Sequence, residues 1–189
     1  VCRGRFEIAR ASFKKRMTLQ TAVIGHPISH SLSPALHNAI YKNEGIDARM
    51  EAYDIEDIGS FVPKIRAVPF GLVAVTLPHK LAVMELVDEV EPVAREIGAV
   101  NTVVNRDGKL FGYNTDIVGI SVSLADVALT GKKVLIIGAG GAAQPLAYHL
   151  SKSGASFFCH SRELDRTRLL CDRFHGTPLE SINAASDIA

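Results

Sequence analysis

The segment that most constrains the fold of this chain is Lys132-Lys-Val-Leu-Ile-Ile-Gly-Ala-Gly-Gly-Ala-Ala-Gln144. Its apolar run Val134–Ile137, bounded by lysines and by a glycine, predicts a short buried strand of a parallel sheet. The glycines that follow predict a tight turn that opens into a helix over Ala142–Ser153. Such a turn lets backbone N–H groups approach a pyrophosphate at the positive end of a helix, although a purely structural strand–turn–helix has the same pattern.

Composition narrows the class of protein. The chain has 189 residues, of which 47% are hydrophobic, enough for one full domain and part of another. With 21 basic and 20 acidic residues, it gives no support for a nucleic-acid or membrane-surface partner. No apolar run reaches the length of about 18 residues that a membrane span needs. The three scattered cysteines lack metal-ligand spacing and favour packed thiols in a reducing compartment, so a cytoplasmic protein is expected.

The first sixteen residues carry six basic residues, one acidic residue and no continuous apolar core. A transit peptide would have this character. We prefer a simpler interpretation, in which residues 1–16 are a poorly ordered extension and the domain begins at Met17.

The first strand is predicted at Thr21–Gly25, and a helix is predicted to begin at Ser33-Pro34, a hydroxyl cap followed by proline. The buried face of this helix is expected to consist of Leu36, Ala39, Ile40 and Ile46. The hydroxyls of Ser31 and Ser33 fit turn and cap chemistry, and they also fit hydrogen bonds to a bound carboxylate or polyol. No carboxylate or cysteine accompanies the nearby histidines, so no metal site is expected at His26, His30 and His37.

The next predicted elements are a strand over Met50–Ile55, a helix over Ile58–Val68 and an apolar strand over Gly71–Thr76. Leu77-Pro78 ends this strand, and His79 and Lys80 are expected to open a helix that runs through Leu86. A lysine just past the carboxyl end of a buried strand lies where open α/β sheets bind their ligands. A solvated lysine in the first turn of a helix is the plainer alternative.

A β-hairpin is predicted over Gly98–Asn114, because Asp107-Gly108 supplies favourable turn residues. Asn101 interrupts its first strand, so the side-chain amide needs a hydrogen-bond partner if it is buried. Asn114-Thr-Asp116 is expected to cap a helix over Ile117–Ala125. A strand–helix alternation therefore precedes the glycine turn and restarts after it, which predicts two α/β lobes bridged by this helix.

After the glycine turn, a strand over Ala155–His160 and a helix over Leu164–Phe174 are predicted. In a dinucleotide-binding fold the end of this strand contacts the adenosine ribose. Arg162 and Arg166 favour a 2′-phosphate, and therefore NADP, although they also fit an exposed arginine pair on a helix. Glu163 weakens the preference for NADP, because an acidic residue here favours NAD.

Five stretches of the chain resemble, in the same order, those of the shikimate dehydrogenase family. They are His30-Ser-Leu-Ser-Pro34 with His37-Asn38, Val75-Thr-Leu-Pro-His-Lys80, Gly98-Ala-Val-Asn-Thr102, Asn114-Thr-Asp116 and Gly138-Ala-Gly-Gly-Ala142. The resemblance covers about Met17 to Ala189. It implies an α/β fold in which an N-terminal α/β substrate lobe precedes a Rossmann-type NADP-binding lobe. It also implies an enzyme that reduces 3-dehydroshikimate to shikimate with NADPH, in the route to chorismate and aromatic amino acids.

The resemblance assigns the site residues by position. Ser31 and Ser33 would hold the shikimate carboxylate, Thr76, Asn101 and Asp116 would bind the ring hydroxyls, and Lys80 with Asp116 would form the catalytic pair at the substrate. The pyrophosphate would lie on Gly138, Ala139, Gly140, Gly141 and Ala142, and the adenosine ribose near Ser161, Arg162 and Arg166.

The chain departs from the family pattern in three places. Ser161-Arg-Glu163 stands where the family usually has Asn-Arg-Thr, and Ala74 replaces a usual asparagine. The chain also stops at Ser186-Asp-Ile-Ala189, where the family begins the next strand of its nucleotide lobe. A C-terminally truncated chain with an incomplete nucleotide lobe is therefore expected.

The expected organisation is an extension over 1–16, a substrate-binding catalytic domain over 17–118 and a partial NADP-binding domain over 119–189. We expect a small-molecule substrate, no nucleic-acid or membrane partner, and a monomer or homodimer. Two alternatives remain open. A quinate/shikimate dehydrogenase with relaxed use of NAD and NADP has the same loops, and a non-catalytic ligand-binding fragment fits the early end of the chain.

Overall fold

The computed structural model describes residues 18–67 and 70–183. These residues form two separate β-sheets, each with its own hydrophobic core. We call the part built on the first sheet the N-terminal lobe and the part built on the second the C-terminal lobe. The N-terminal lobe contains β1 (Leu19–Gly25), α1 (Ser33–Asn43), β2 (Ala48–Asp54), α2 (Ile58–Ala67), β3 (Phe70–Val75), a 3₁₀ helix (Ala82–Glu85), β4 (Glu89–Val90), α3 (Pro92–Ile97), β5 (Thr102–Arg106) and β6 (Lys109–Tyr113). Helix α4 (Asp116–Ser123) leads into β7 (Lys133–Ile137), α5 (Ala143–Ser153), β8 (Ser156–His160), α6 (Leu164–Phe174) and β9 (Thr177–Pro178).

The sheet of the N-terminal lobe has six strands in the order β2-β1-β3-β5-β6-β4. Strand β1 pairs in parallel with β2 and β3, because α1 and α2 carry the chain back to the start of each following strand. Strands β5 and β6 form the predicted hairpin, with Asp107 and Gly108 at φ values of 53° and 86° in its turn. The core of the lobe includes Ile24, Val73 and Val103, which are fully buried. Because β1 and β3 are parallel neighbours, their carboxyl ends share one edge of the sheet.

The sheet of the C-terminal lobe has three parallel strands in the order β7-β8-β9. Helices α5 and α6 cover the face that carries Ile136, which is 4% exposed. Its neighbour Ile137 is 70% exposed, so the predicted buried strand β7 is buried on one face only. The reason is that side chains alternate along a strand, and within the described ranges no helix packs on the second face.

The predicted buried face of α1 is also wrong. All four residues assigned to it are exposed, and no residue of the helix is buried. The side-chain amide of Asn38 instead accepts a hydrogen bond from the Met50 N–H at 2.8 Å and donates one to the Met50 carbonyl oxygen at 3.0 Å. These polar contacts to β2, together with the packing of Tyr41 against the buried cluster that contains Val23 and Met50, hold this helix in place, so its apolar spacing does not predict which residues pack. The four exposed residues are Leu36, Ala39, Ile40 and Ile46.

The helix predicted from His79 through Leu86 is shorter than expected. Turns follow Pro78, and only Ala82–Glu85 forms a helix, of the 3₁₀ type. Val83 is fully buried, whereas Leu81 and Ala82 directly before it are exposed. Within Ala82–Glu85 the one buried side chain is that of Val83, which stabilises too little to support a regular α-helix, since helix nucleation is itself unfavourable.

Some predictions fall outside the described residues. These are the extension over 1–16, the start of the domain at Met17, and the beginning of a further strand at residues 186–189. In the two described ranges, no helix has the length and apolar character needed to cross a membrane.

Candidate active site

Lys80 follows the carboxyl end of β3, the edge at which open α/β sheets bind their ligands. The His79 N–H donates to the Thr76 carbonyl at 2.9 Å, and the Lys80 carbonyl accepts the Val100 N–H at 2.8 Å. The His79 ring is buried, and its Nε2 atom lies 2.6 Å from the Ile55 carbonyl oxygen. The backbone that carries the lysine is therefore fixed on both sides, even though it opens no α-helix.

The side chain of Lys80 forms an ion pair with Asp116, the first residue of α4. Its Nζ atom lies 2.6 Å from Asp116 Oδ2. The Lys80 side chain is 13% exposed and that of Asp116 is 30% exposed, so the pair is largely enclosed. Asn101 donates from Nδ2 to Asp116 Oδ1, also at 2.6 Å. Each carboxylate oxygen thus has a donor, which fixes the carboxylate and through it the ammonium group.

Asn101 is held in turn by its own neighbours. Its Oδ1 atom accepts hydrogen bonds from the Thr115 N–H at 2.8 Å and from the Thr102 hydroxyl at 3.0 Å. Its backbone N–H donates to the Tyr113 carbonyl at 3.0 Å. The prediction that this amide requires partners is confirmed, and one of them is the carboxylate of Asp116.

Two serine hydroxyls lie in the loop between β1 and α1. Ser31 Oγ accepts the N–H of Ser33 at 3.3 Å, whereas no side-chain hydrogen bond caps α1 from its N-cap residue. The predicted cap by Ser33 is therefore wrong, because Ser31 accepts the orphan N–H. Thr76 lies half-buried at the end of β3, on the same edge of the sheet as these serines. Within the described ranges, no hydrogen bond joins these three hydroxyls to the group formed by Lys80, Asn101 and Asp116.

The histidines near this loop have other neighbours. His26 Nδ1 lies 2.6 Å from Asp54 Oδ1, and the ring of His37 is 6.0 Å from that of Tyr41. In the part of the chain that the structure describes, no three His, Cys, Asp or Glu side chains are grouped as metal ligands.

The glycine turn of the C-terminal lobe lies directly against Lys80. A Cβ atom placed on Gly141 would lie 2.9 Å from Lys80 Cβ and 3.1 Å from its Cδ. Such a distance is shorter than a normal carbon–carbon contact, so only glycine permits this approach. The Ala143 N–H donates to the Gly140 carbonyl at 3.0 Å, and the amino end of α5 thus lies beside Lys80.

A cavity of about 290 Å³ separates the lobes next to this contact. Its walls include Leu77, Lys80 and Leu81 from the N-terminal lobe, and Ala139, Gly141 and Gln144 from the C-terminal lobe. The Oε1 atom of Gln144 is buried and has no hydrogen-bond partner among the described residues. An unmet buried acceptor costs about 1–3 kcal/mol.

A second cavity, of about 530 Å³, lies between the glycine turn and the end of β8. Arg162, Glu163 and Arg166 line it, together with the Gly138–Gly140 part of the turn. Glu163 and Arg166 form an exposed ion pair, with Glu163 Oε2 at 2.9 Å from Arg166 Nε. Among residues 18–67 and 70–183, no carboxylate lies within ion-pair distance of Arg162. Six of the eight predicted cofactor residues thus line one cavity, and two of the charged side chains in it form an ion pair with each other.

Two predicted cofactor residues stand apart from the lining of this second cavity. Gly141 lines the first cavity, and Ala142 is exposed at the start of α5. Ser161 lines the second cavity, but its hydroxyl already donates to the Glu163 carbonyl at 2.9 Å and lies 2.8 Å from the Thr167 hydroxyl.

Sequence reasoning missed several side chains at these sites. The Thr115 hydroxyl lies 2.9 Å from Asn101 Nδ2. Thr115 belongs to the Asn114-Thr-Asp116 motif, but no role was predicted for its side chain. Gln144 directly follows the glycine turn, and a polar side chain in the first turn of a buried helix is the signal that could have found it. His160, at the end of β8, lines the second cavity and was assigned only to the strand.

Two family models match the chain. The model described as shikimate dehydrogenase substrate binding domain matches residues 23–103, and the model described as shikimate / quinate 5-dehydrogenase matches residues 122–188. The first match falls on the N-terminal lobe, and the second covers the C-terminal lobe with only the last two residues of α4.

Individual relatives agree with the family models. The shikimate dehydrogenase (NADP(+)) of Shouchella clausii is 41% identical over 172 residues, covering 88% of this chain and 62% of that protein. The crystal structure of shikimate dehydrogenase from Aquifex aeolicus has a TM-score of 0.83 at 36% identity, covering 91% of this chain and 66% of the other. The Thermus thermophilus shikimate 5-dehydrogenase, solved in complex with NADP(H) and shikimate, has a TM-score of 0.77 at 35% identity, covering 89% and 65%.

The chain spans less than two thirds of the length of the curated relatives it matches, 62% of the first and 47% of the second. Over that span, both lobes match in sequence and in fold. The chain therefore belongs to the shikimate dehydrogenase family.

Proposed function

We propose that this chain carries out the reversible, NADP-dependent reduction of 3-dehydroshikimate to shikimate, in the biosynthesis of chorismate and aromatic amino acids. Residues 17–118 form the substrate-binding catalytic domain and residues 119–189 a partial NADP-binding domain. The observation that carries the proposal is the Lys80–Asp116 ion pair of 2.6 Å, which lies against the glycine turn of the other lobe. The proposal includes a small-molecule substrate and a monomeric or homodimeric protein that acts in the cytoplasm.

Reduction of a carbonyl requires a hydride at carbon and a proton at oxygen. NADPH, when bound, supplies the hydride. Lys80 Nζ donates the proton to the developing alkoxide and takes it back in the reverse direction, a contribution typically worth about 10²–10⁴-fold in rate. Asp116 and Asn101 keep the ammonium in position, since both oxygens of the carboxylate are engaged at 2.6 Å.

The remaining polar groups of the N-terminal lobe suit the other ends of the substrate. Ser31 and Ser33 bind its carboxylate, and Thr76, Asn101 and Asp116 bind the ring hydroxyls. The position of the serines and Thr76 at the carboxyl edge of β1 and β3 supports this assignment, because that edge also carries Lys80.

The C-terminal lobe fits a phosphorylated dinucleotide. The turn Gly138–Ala142 precedes the amino end of α5, and no atom lies within 4 Å of a Cβ placed on Gly138 or Gly140. Backbone N–H groups can therefore approach a pyrophosphate there. Arg162 and Arg166, in the adjoining cavity, are the donors suited to a 2′-phosphate.

A turnover assay of the 189-residue chain tests this proposal. Shikimate and quinate are each supplied with NADP and with NAD, and formation of the reduced nicotinamide is followed. We expect weak shikimate binding and little turnover of this chain, with any turnover higher for shikimate and NADP than for the other combinations. Absence of both shikimate binding and nucleotide binding in calorimetry would refute the proposal. Binding of both ligands without turnover would favour the non-catalytic alternative.

The Glu163–Arg166 ion pair favours a second candidate, a dehydrogenase that uses both NAD and NADP. A carboxylate beside the ribose accepts hydrogen bonds from its hydroxyls and repels a 2′-phosphate. Glu163→Gln should then raise the preference for NADP by roughly two- to fivefold, the scale of an exposed charge pair. The matched control is Asp165→Asn, which removes a carboxylate two residues further along, in α6. In the wild type, Asp165 Oδ1 lies 3.9 Å from Arg168 Nη1. Equal cofactor preference in both variants and in the wild type would count against this candidate.

A further inference from the structure

We propose that Arg173 is a positioning residue, which links the C-terminal lobe to the segment of the N-terminal lobe that orients Lys80 and Asp116. The importance of these two groups rests on the proposed function. The contact made by Arg173 is a feature of the fold and does not depend on the proposed function.

Arg173 lies in the last turn of α6 and reaches across to the end of α3. Its Nη2 atom donates to the Arg95 carbonyl at 3.0 Å and its Nε atom to the Glu96 carbonyl at 3.2 Å. The last carbonyls of a helix have no partner inside the helix, and a cation beside them is favourable. One side chain of the C-terminal lobe therefore completes a helix of the N-terminal lobe.

The end of α3 is shaped to receive this guanidinium. Gly98 ends the helix at a φ of 78°, and a Cβ atom on it would overlap the guanidinium of Arg173. Glycine is thus required here for its backbone conformation and for the space it leaves. Tyr148 of α5 makes a second contact with the same turn, because its hydroxyl donates to Glu96 Oε2 at 3.1 Å. Its ring also packs edge-on against Phe174, the neighbour of Arg173, at 6.2 Å.

The segment after α3 holds the proposed catalytic pair. The Val100 N–H donates to the Lys80 carbonyl at 2.8 Å, and Asn101 Nδ2 donates to Asp116 Oδ1 at 2.6 Å. Ala99 and Val100 are fully buried, so this segment cannot yield locally without disturbing close-packed neighbours. A displacement at the end of α3 is therefore passed on to both groups.

Amide hydrogen exchange on the 189-residue chain tests the proposal, with Arg173→Leu as the main variant. We expect the amides of Val100 and Asn101 to exchange at least about threefold faster in this variant, a coupling typical of contacts between packed elements. Arg173→Lys, which keeps a donor, should restore part of the protection. The matched control is Arg168→Leu on the same helix, because Arg168 lies 3.9 Å from Asp165 and 3.6 Å from Glu180, both in its own lobe.

A double-mutant cycle isolates the steric part of the contact. Gly98→Ala introduces the same backbone strain in the wild type and in the Arg173→Leu background. The overlap with the guanidinium exists only in the wild type. Gly98→Ala should therefore raise the equilibrium constant of unfolding in both backgrounds. The factor of increase should be at least about threefold smaller in the Arg173→Leu background than in the wild type.

Three outcomes would overturn the proposal. The first is unchanged exchange at Val100 and Asn101 in Arg173→Leu, and the second is an equal effect of Gly98→Ala in both backgrounds. The third is faster exchange confined to α6 and β8, which would mean that Arg173 acts only within its own lobe. None of these measurements requires turnover. A failure of the proposed function, seen as absent ligand binding, is therefore distinguishable from a failure of this inference.

Discussion

Replacing Gly141 with alanine tests how closely the two lobes meet at Lys80. The added methyl carbon would lie 2.9 Å from Lys80 Cβ, whereas two carbon atoms in ordinary contact are about 3.5–4.0 Å apart. Lys80 cannot easily withdraw, because its carbonyl accepts the Val100 N–H and its Nζ atom is paired with Asp116. Overpacking of this kind typically costs about 1–3 kcal/mol. We therefore expect Gly141→Ala to lower the free energy of unfolding by an amount in that range.

Gly140→Ala is the matched control, one residue away. No atom lies within 4 Å of a Cβ on Gly140, and neither glycine has a positive φ. Alanine at such a site typically raises stability by about 0.4–1 kcal/mol, because it restricts the unfolded chain. The two variants should thus change stability in opposite directions.

Urea unfolding of the ligand-free proteins, followed by circular dichroism, measures both changes. The slope of the unfolding free energy against urea should stay the same in all three proteins, so that midpoints can be compared directly. If Gly141→Ala proves as stable as Gly140→Ala, the turn does not lie against Lys80 in solution and the closed arrangement of the lobes is refuted.

Three further predictions concern single residues. In a full-length context, Lys80→Ala should lower kcat by about 10²-fold or more with little change in shikimate affinity, and steady-state kinetics with near-normal kcat would remove Lys80 as the proton donor. Arg162→Asp should weaken NADP binding much more than NAD binding in calorimetry, since a 2′-phosphate would meet a like charge, and equal losses would exclude Arg162 as its ligand. Hydrogen bonds from Arg66 and from the Leu110 N–H lower the pKa of Asp88 from 3.8 to about 2. Its stabilising contribution is present above the higher value and is lost as the pH falls through the lower one, so urea unfolding should show a steeper acid loss in the wild type than in Asp88→Asn.

The C-terminal lobe was predictable from sequence to a large extent. The helix over Leu164–Phe174 and the turn after Ile137 are found where the sequence predicts them, because a glycine turn between apolar segments leaves few alternatives. The hairpin turn at Asp107-Gly108 was predictable for the same local reason. The two-residue strand β9 and the six-residue helix α3 were missed, since elements of this length show no periodicity.

Packing was harder to predict than local structure. The apolar spacing of α1 predicts a buried face, yet Leu36 is 60% exposed and Asn38 anchors the helix to β2 instead. In the same way, β7 has the composition of a strand buried on both faces, and Ile137 is 70% exposed. Periodicity identifies which residues share a face of an element. Whether another element covers that face depends on contacts that are distant along the chain.

The sequence by itself determined the α/β class and the glycine turn, because these follow from residue types and local spacing. The candidate residues Lys80, Asn101 and Asp116 followed from the resemblance of short motifs to those of the family. The resemblance implied the Lys80–Asp116 pair, but only the structure shows that Asn101 joins both in one hydrogen-bonded group, since the three residues lie far apart along the chain. Nor could the sequence determine that Gly141 lies against Lys80, or that Arg173 completes α3. Those contacts join residues of different lobes, and only the relative placement of two independently cored sheets decides them.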